Sequence, residues 1–486
     1  MRGPKTPLGK STLDESTLPF ASISELNAAL RSRQISCVEL TRFFGQRLET
    51  LGPVYNALAC SLLKEGHKAA KDVDGDIKRE RFRGPLQGVP YAVKDLFAVA
   101  GYPTTWGTKL YAKQVFDYNA TVVDRLDGRG GILIGKLAMI QLAGGGGYSS
   151  ASASLHGPAL NPWNKLYWAG GSSSGSGAAV AAGLTPYALG SETSGSILTP
   201  ASYCGISGLR PTYGLVSRHG AMALSWTMDK VGVLARSAED CGLVLQVISG
   251  GGGEDAASAQ TRYYYGPQYY GELKEQRIGY AEIDFSDWPD AALRPVFAAA
   301  LATIKSTGAK MVETKLPDFP YGPIISCIID SEAASIFEPL IRSNDIGQLG
   351  DPIQIEGLKA ALNYSATDYL KAMRVRSQIQ EAFGGLFANV DLLVAPTNLK
   401  PPDRADRPFD DTEPKGPEQK GVAADLVRAS NLCGLPALTI PCGYADGLPV
   451  GLQIVGRPFS ENRILALGKE FQQRTDFHKQ HPVVSG

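Results

Sequence analysis

The chain has 486 residues, with Lys+Arg 48 balancing Asp+Glu 48 and 43% hydrophobic residues. That balance excludes an electrostatic grip on nucleic acid or on an anionic membrane, and the apolar share is enough for a full core. Met1 to Phe20 lacks the apolar segment of a secretion signal, and no run of about 18 apolar residues occurs, so a cytoplasmic chain without a membrane span is expected.

In chain order, Ile23, Leu26 and Leu30 recur at helical spacing behind Ser22 or Ser24, both good caps, and predict a helix over 22–30. A second helix is predicted over 36–51, with Val38, Leu40, Phe43, Phe44 and Leu48 for its buried face and Gly52-Pro53 to end it. Residues 61–83 read as a charged surface helix and loop. Two buried strands follow, one in Gly88–Asp95 running into a Lys-Asp pair and one in Gly131–Lys136.

From Ala143 to Ser196 small residues dominate, notably in Gly144–Gly147 and Gly170–Gly177. Apolar runs at Tyr187–Gly190 and Ile197–Pro200 interrupt this stretch, so it is not a linker; its glycines allow close backbone approach to a ligand. A helix can begin at Ala178. After a Gly-rich break at 249–253 and a Tyr-rich stretch, strand 277–281, helix 291–306 and strand 309–315 alternate in α/β fashion. Strands at 391–396, 438–442 and 450–456, an exposed Pro-rich loop at 400–420 and a helix over 461–473 complete the chain.

The seven cysteines are scattered and form no CxxC, which fits free thiols better than a disulfide framework or a zinc ribbon. The five histidines, at 67, 156, 219, 478 and 481, show no metal-ligand spacing, and two lie in the C-terminal tail, which disfavours a Ser-His-Asp enzyme. Ser173 sits at the centre of a GxSxG match but lacks downstream partners. Ser61-Leu-Leu-Lys64 lacks the companions of an SxxK enzyme, and Gly130–Lys136 is followed by Leu137 where a P-loop needs Ser or Thr.

Ser and Lys offer another chemistry. Gly170-Gly-Ser-Ser-Ser-Gly-Ser-Gly177 and Gly190-Ser-Glu-Thr-Ser-Gly-Ser196 supply hydroxyls and small-residue turns whose N–H groups can face a substrate oxygen. A base is needed, and Lys94, behind the apolar Tyr91-Ala-Val93, can supply it if burial keeps its amine neutral.

These segments resemble the amidase signature family. The pattern is carried by Gly88-Val-Pro-Tyr-Ala-Val-Lys-Asp95, Gly170-Gly-Ser-Ser-Ser-Gly-Ser176 and Gly190-Ser-Glu-Thr-Ser-Gly-Ser-Ile-Leu-Thr-Pro200, with Cys204–Arg218 as a signature tail. Gly434–Pro441 and Gly447–Gln453 extend it over nearly the whole chain. Ser174 and Ser194 stand where the family often has Gly.

The resemblance implies a single α/β/α domain over 1–486, with a twisted mixed sheet of about 11 strands wrapped by helices, N-terminal helices at 22–51 and a catalytic core at about 85–250. It implies Lys94 as base, Ser172 on a cis peptide as bridge, Ser196 as nucleophile, and the N–H groups of Thr193, Ser194, Gly195 and Ser196 as oxyanion hole, with Ser173 supporting the loop. No metal or organic cofactor is implied, and a homodimer stays open.

The implied activity is hydrolysis of a C–N amide bond in a small molecule through an acyl-enzyme. Around 196–235 the chain also resembles the glutamine-hydrolysing subunit of the tRNA-dependent amidotransferase. That protein typically carries an acidic segment where residues 137–150 here are apolar and Gly-rich. A stand-alone amidase for aryl or hydrophobic amides, extending to carbamates and esters, is therefore the preferred expectation, with Met139, Ile140, Leu142 and Tyr148 lining the pocket. The alternatives are the amidotransferase subunit, for which Asp425 and Arg428 offer anchors for an amino acid, and a catalytically dead binding member. Residues 317–365 and 400–420 are long enough to shape an entrance.

Overall fold

In the computed structural model, which describes residues 16–270, 273–288, 290–409 and 421–484, Ser22 and Ser36 each close a capping box, with Glu25 and Glu39. Each cap satisfies N–H groups that the first helical turn leaves unpaired. The helices they start, Ile23–Arg31 and Cys37–Leu51, bury their apolar faces as their spacing predicts. The charged helix Leu63–Lys78 packs with the second of them on the sheet.

The strands are β1 (Leu58–Ser61), β2 (Pro90–Lys94), β3 (Ile132–Leu137), β4 (Leu160–Asn161), β5 (Asn164–Trp168), β6 (Tyr187–Glu192), β7 (Ser207–Arg210), β8 (Lys230–Ala235), β9 (Arg277–Tyr280), β10 (Lys310–Glu313), β11 (Leu392–Pro396), β12 (Ala437–Ala445) and β13 (Leu448–Gly456). One mixed 11-stranded sheet runs β1-β3-β2-β6-β8-β7-β12-β13-β11-β9-β10, and β4 and β5 form a separate pair. This α/β sheet matches the expected architecture. β2 lies parallel to β3 and β6, while β6, β8, β7, β12, β13 and β11 alternate in direction. Asp446 and Gly447, both at positive φ (50° and 76°), turn β12 into β13. An Asp-Gly pair suits the twist of a tight hairpin.

Strands β2, β3, β7, β8, β11 and β13 are buried along their whole length. They read as unbroken apolar runs because the sheet is covered, rather than alternating with solvent. Because β2 and β6 are parallel, Lys94 and Glu192 end their strands at the same edge of the sheet. Ligand sites in open α/β sheets form at such carboxyl ends.

Two local expectations shift. The helix expected from Ala178 begins within the Gly/Ser cluster, at Ser174, and all its residues to Ala181 are buried. Glycine makes this approach feasible: a Cβ on Gly175 would lie 2.6 Å from both Ala138 N and Ala57 O. Ile197–Pro200 leads into a helix, Leu198–Cys204. Residues 317–365 are largely helical, as Tyr321–Ile341 and Pro352–Ala361. Of the loop expected at 400–420, residues 410–420 lie outside the described part, as does most of the polar start, 1–15.

Candidate active site

Lys94 closes β2 with no solvent exposure. Its Nζ donates to Ser172 Oγ at 2.8 Å and to Ser191 Oγ at 3.0 Å. Burial pushes its pKa down to about 7, against the opposing pull of the Asp229 and Glu192 charges. An amine in this position is neutral in a large fraction of molecules near neutral pH.

Ser172 follows a cis Gly171–Ser172 peptide, as the resemblance implies. Its carbonyl accepts from Ile140 N at 3.2 Å. A Cβ on Gly171 would lie 2.6 Å from Trp168 Cζ2, so the chain here leaves no room for a side chain. Ser173 is wholly buried; its Oγ donates to Ser191 O at 3.2 Å and accepts from Ser191 N at 3.4 Å. Its N–H donates to Ser196 O at 3.3 Å, which ties the two Gly/Ser segments together. Ser173 is thus hydrogen-bonded to Ser191 and Ser196 at once.

Ser196 is half-buried, and Gly195 beside it takes φ +86°. Among the described residues, no acceptor takes the N–H groups of Thr193, Ser194, Gly195 or Ser196. Glu192 supports this turn from beneath. It accepts from Ile197 N at 2.8 Å and Leu198 N at 3.0 Å, and pairs with Arg210 at 2.7 Å. Burial raises its pKa, but Arg210, Lys230 and the Asn431 amide together hold it down at about 2. Thr193 Oγ1 donates to Asp229 at 2.5 Å, and Lys230 Nζ lies 3.5 Å from Thr193 O.

Of the expected pocket residues, Ile140 lies beside Gly171, and Tyr148 packs on the neighbouring Trp168. A Cβ on Gly171 would touch Ile140 Cγ1 at 3.0 Å, and Tyr148 meets Trp168 and Phe409 edge-on, with centroids 6.1 and 5.8 Å apart. Met139 and Leu142 pack in the main core, and Ile140, equally buried, packs in a smaller cluster with Trp168. Residues 403–405 run along β5, where Trp168 N donates to Asp403 O and Ala405 N to Leu166 O, and Phe409 N donates to Ser149 O. Asp425 and Arg428 lie 3.5 Å apart on helix Ala423–Leu432, and a Cβ on Gly195 would sit 3.6 Å from Val427 of that helix.

Sequence reasoning missed Ser191, Arg210, Asp229, Lys230 and Asn431. Ser191 and Arg210 stood inside the quoted motifs without a role; the other three carry no local signal, since folding alone brings them to the turn. All seven cysteines are free, and burial pushes Cys37 and Cys433 up to about 12, far from a reactive thiolate. His219 packs on Tyr118 and His481 stacks on Phe20.

A family profile described as amidase matches residues 39–465. A glutamyl-tRNA(Gln) amidotransferase subunit from Carboxydothermus hydrogenoformans is 35% identical over 492 residues, covering 96% of this chain and 99% of that protein. The peptide amidase of Stenotrophomonas maltophilia superposes with a TM-score of 0.81 at 27% identity, covering 94% of this chain and 98% of the other. A chain from a vestigial protein complex, described as revealing the origins of an s-triazine catabolic enzyme, superposes with a TM-score of 0.84 at 28% identity, covering 94% and 99%.

Proposed function

The chain belongs to the amidase signature family, and on that premise we propose that it hydrolyses a carbon–nitrogen amide bond through an acyl-enzyme on Ser196, with Lys94 as base and Ser172 between them. The observation that carries this reading is the 2.8 Å contact of a fully buried Lys94 Nζ with Ser172 Oγ. Neutral Lys94 takes the Ser172 proton while Ser172 takes that of Ser196. The Ser196 oxygen then attacks the carbonyl carbon. The N–H groups of Thr193 to Ser196 hold the developing oxyanion. The relay returns a proton to the leaving nitrogen, and water repeats the attack on the ester.

For the substrate, two readings stand on different observations. Similarity to glutamyl-tRNA(Gln) amidotransferase subunits favours glutamine as the amide and a partner protein that receives the ammonia. It supports this alternative better than the stand-alone enzyme preferred from the apolar 137–150 segment. The wall of Ile140, Tyr148, Trp168 and Phe409 keeps an aryl or hydrophobic amide, carbamate or ester in view. Hydrolysis of glutamine, an anilide, an aryl carbamate, an aliphatic amide and an ester by the purified chain separates them, with Ser196→Ala as control. Turnover of glutamine alone supports the amidotransferase reading; turnover of the anilide or carbamate supports the stand-alone enzyme. No turnover of any substrate would sink the hydrolase reading in favour of a binding-only member.

A further inference from the structure

Glu332 lies far from the serines in sequence, on helix Tyr321–Ile341, and is 7% exposed. Its carboxylate is engaged by the loop that precedes β8. Oε2 accepts from Ser225 Oγ at 2.6 Å and from Thr227 N at 3.0 Å, and Oε1 accepts from Thr227 Oγ1 at 2.8 Å. Tyr369 Oη also donates to Oε1, at 2.7 Å. Arg376 grips the same loop, reaching Thr227 Oγ1 at 2.7 Å and Thr227 O at 2.9 Å.

The loop in turn holds Asp229. Leu224 N and Ser225 N donate to Asp229 Oδ2 at 2.8 and 3.0 Å, while the other oxygen takes the Thr193 hydroxyl at 2.5 Å. Ser225 is therefore shared: its hydroxyl is fixed by Glu332 and its N–H fixes Asp229. From Glu332 through Ser225 and Asp229 to Thr193, each link is a hydrogen bond to a carboxylate, the stronger kind of such contact. A turn whose N–H groups must meet a developing charge loses rate when it shifts by a fraction of an ångström.

We propose that Glu332 is a positioning residue for the turn at Thr193–Ser196: it fixes the 224–229 loop, and the loop fixes Thr193 through Asp229. This rests on the reading of Ser196 as nucleophile, so the test uses a probe that reports on Ser196 without a substrate. The rate of labelling by a fluorophosphonate is followed by intact mass. In Glu332→Ala it should fall about tenfold or more. Glu332→Gln, which keeps an acceptor for Ser225 Oγ and Thr227 N, should restore most of it. Thr193→Val should also slow labelling, and the double variant E332A/T193V should be no slower than the slower single one, because both act on one chain of contacts. Thr227→Val tests the link from the loop side, independently of how well Glu332→Ala folds, and should slow labelling in the same direction. Wild-type rates in Glu332→Ala or Thr227→Val, or multiplicative losses in the double variant, overturn the inference. A wild-type chain that is not labelled at Ser196 overturns the nucleophile reading first.

Discussion

Ser191 Oγ stands 3.0 Å from Lys94 Nζ, across the parallel strands β2 and β6, so the buried amine has two hydroxyl neighbours and not one. In the proposed relay Ser172 alone passes the proton to Ser196, and Ser191 holds the amine through its second hydrogen bond. Ser191→Ala should lower kcat about tenfold to a hundredfold, within the range for a misplaced general base, and leave KM within about twofold. Steady-state kinetics on the best substrate of the panel checks this, and an effect confined to KM would contradict it.

As the proposed base, Lys94 would give the reaction its pH dependence. Its pKa is pushed down to about 7, so the neutral form gains on raising the pH through that value. The rate should rise between about pH 6 and 8 and then level off. The stability effect has a definite sign. The folded pKa is below the unfolded one, so between about 7 and 10.5 the unfolded chain binds the extra proton and stability from this group increases with pH. Lys94→Met should therefore be inactive yet more stable than the parent at pH 7, with the gap narrowing toward pH 10. Thermal melts across that range measure it.

The Glu192–Arg210 pair is buried on both sides and also carries the N–H groups of Ile197 and Leu198. Arg210→Met strands the carboxylate in the interior. It should cost about 3–5 kcal/mol in urea unfolding, the usual loss on breaking a buried pair. Glu192 is held down at about 2, so its contribution is complete above the unfolded value of 4.5 and fades as the pH falls from there through 2. The parent should show an acid-side loss that Glu192→Gln lacks.

Gly175 tests why the Gly/Ser segment is small. A methyl there would meet the backbone of Ala57 and Ala138 within 2.7 Å, and backbone does not yield as a side-chain tip can. Gly175→Ala should destabilise by about 1–3 kcal/mol from overpacking. It should also slow the enzyme, because helix Ser174–Ala181 and Ser172 would move together. Ala178→Gly, a change of similar size in the same helix, provides the comparison: it should cost about 1 kcal/mol through propensity and leave the rate near that of the parent.

Much of this protein was legible in its sequence, because the signals are local. Ser22 and Ser36 announce their helices by capping chemistry that spans four residues, and the apolar runs at 132–137 and 392–396 announce buried strands. Lys94, Ser172, Ser173 and Ser196 sit in motifs whose residue types have few other uses together. The tertiary structure decided what no window contains. It brought Lys94 beside Ser191 by pairing β2 with β6. It placed Asp229, Lys230 and Asn431 around the Thr193 turn, and Glu332 against the 224–229 loop, from distant parts of the chain. It also divided neighbouring residues between packing clusters, Met139 and Leu142 in the main core and Ile140 beside Trp168. Periodicity and capping depend on neighbours in sequence. The burial that lowers the Lys94 pKa, and the contacts that fix the turn, depend on which surfaces meet when the sheet closes.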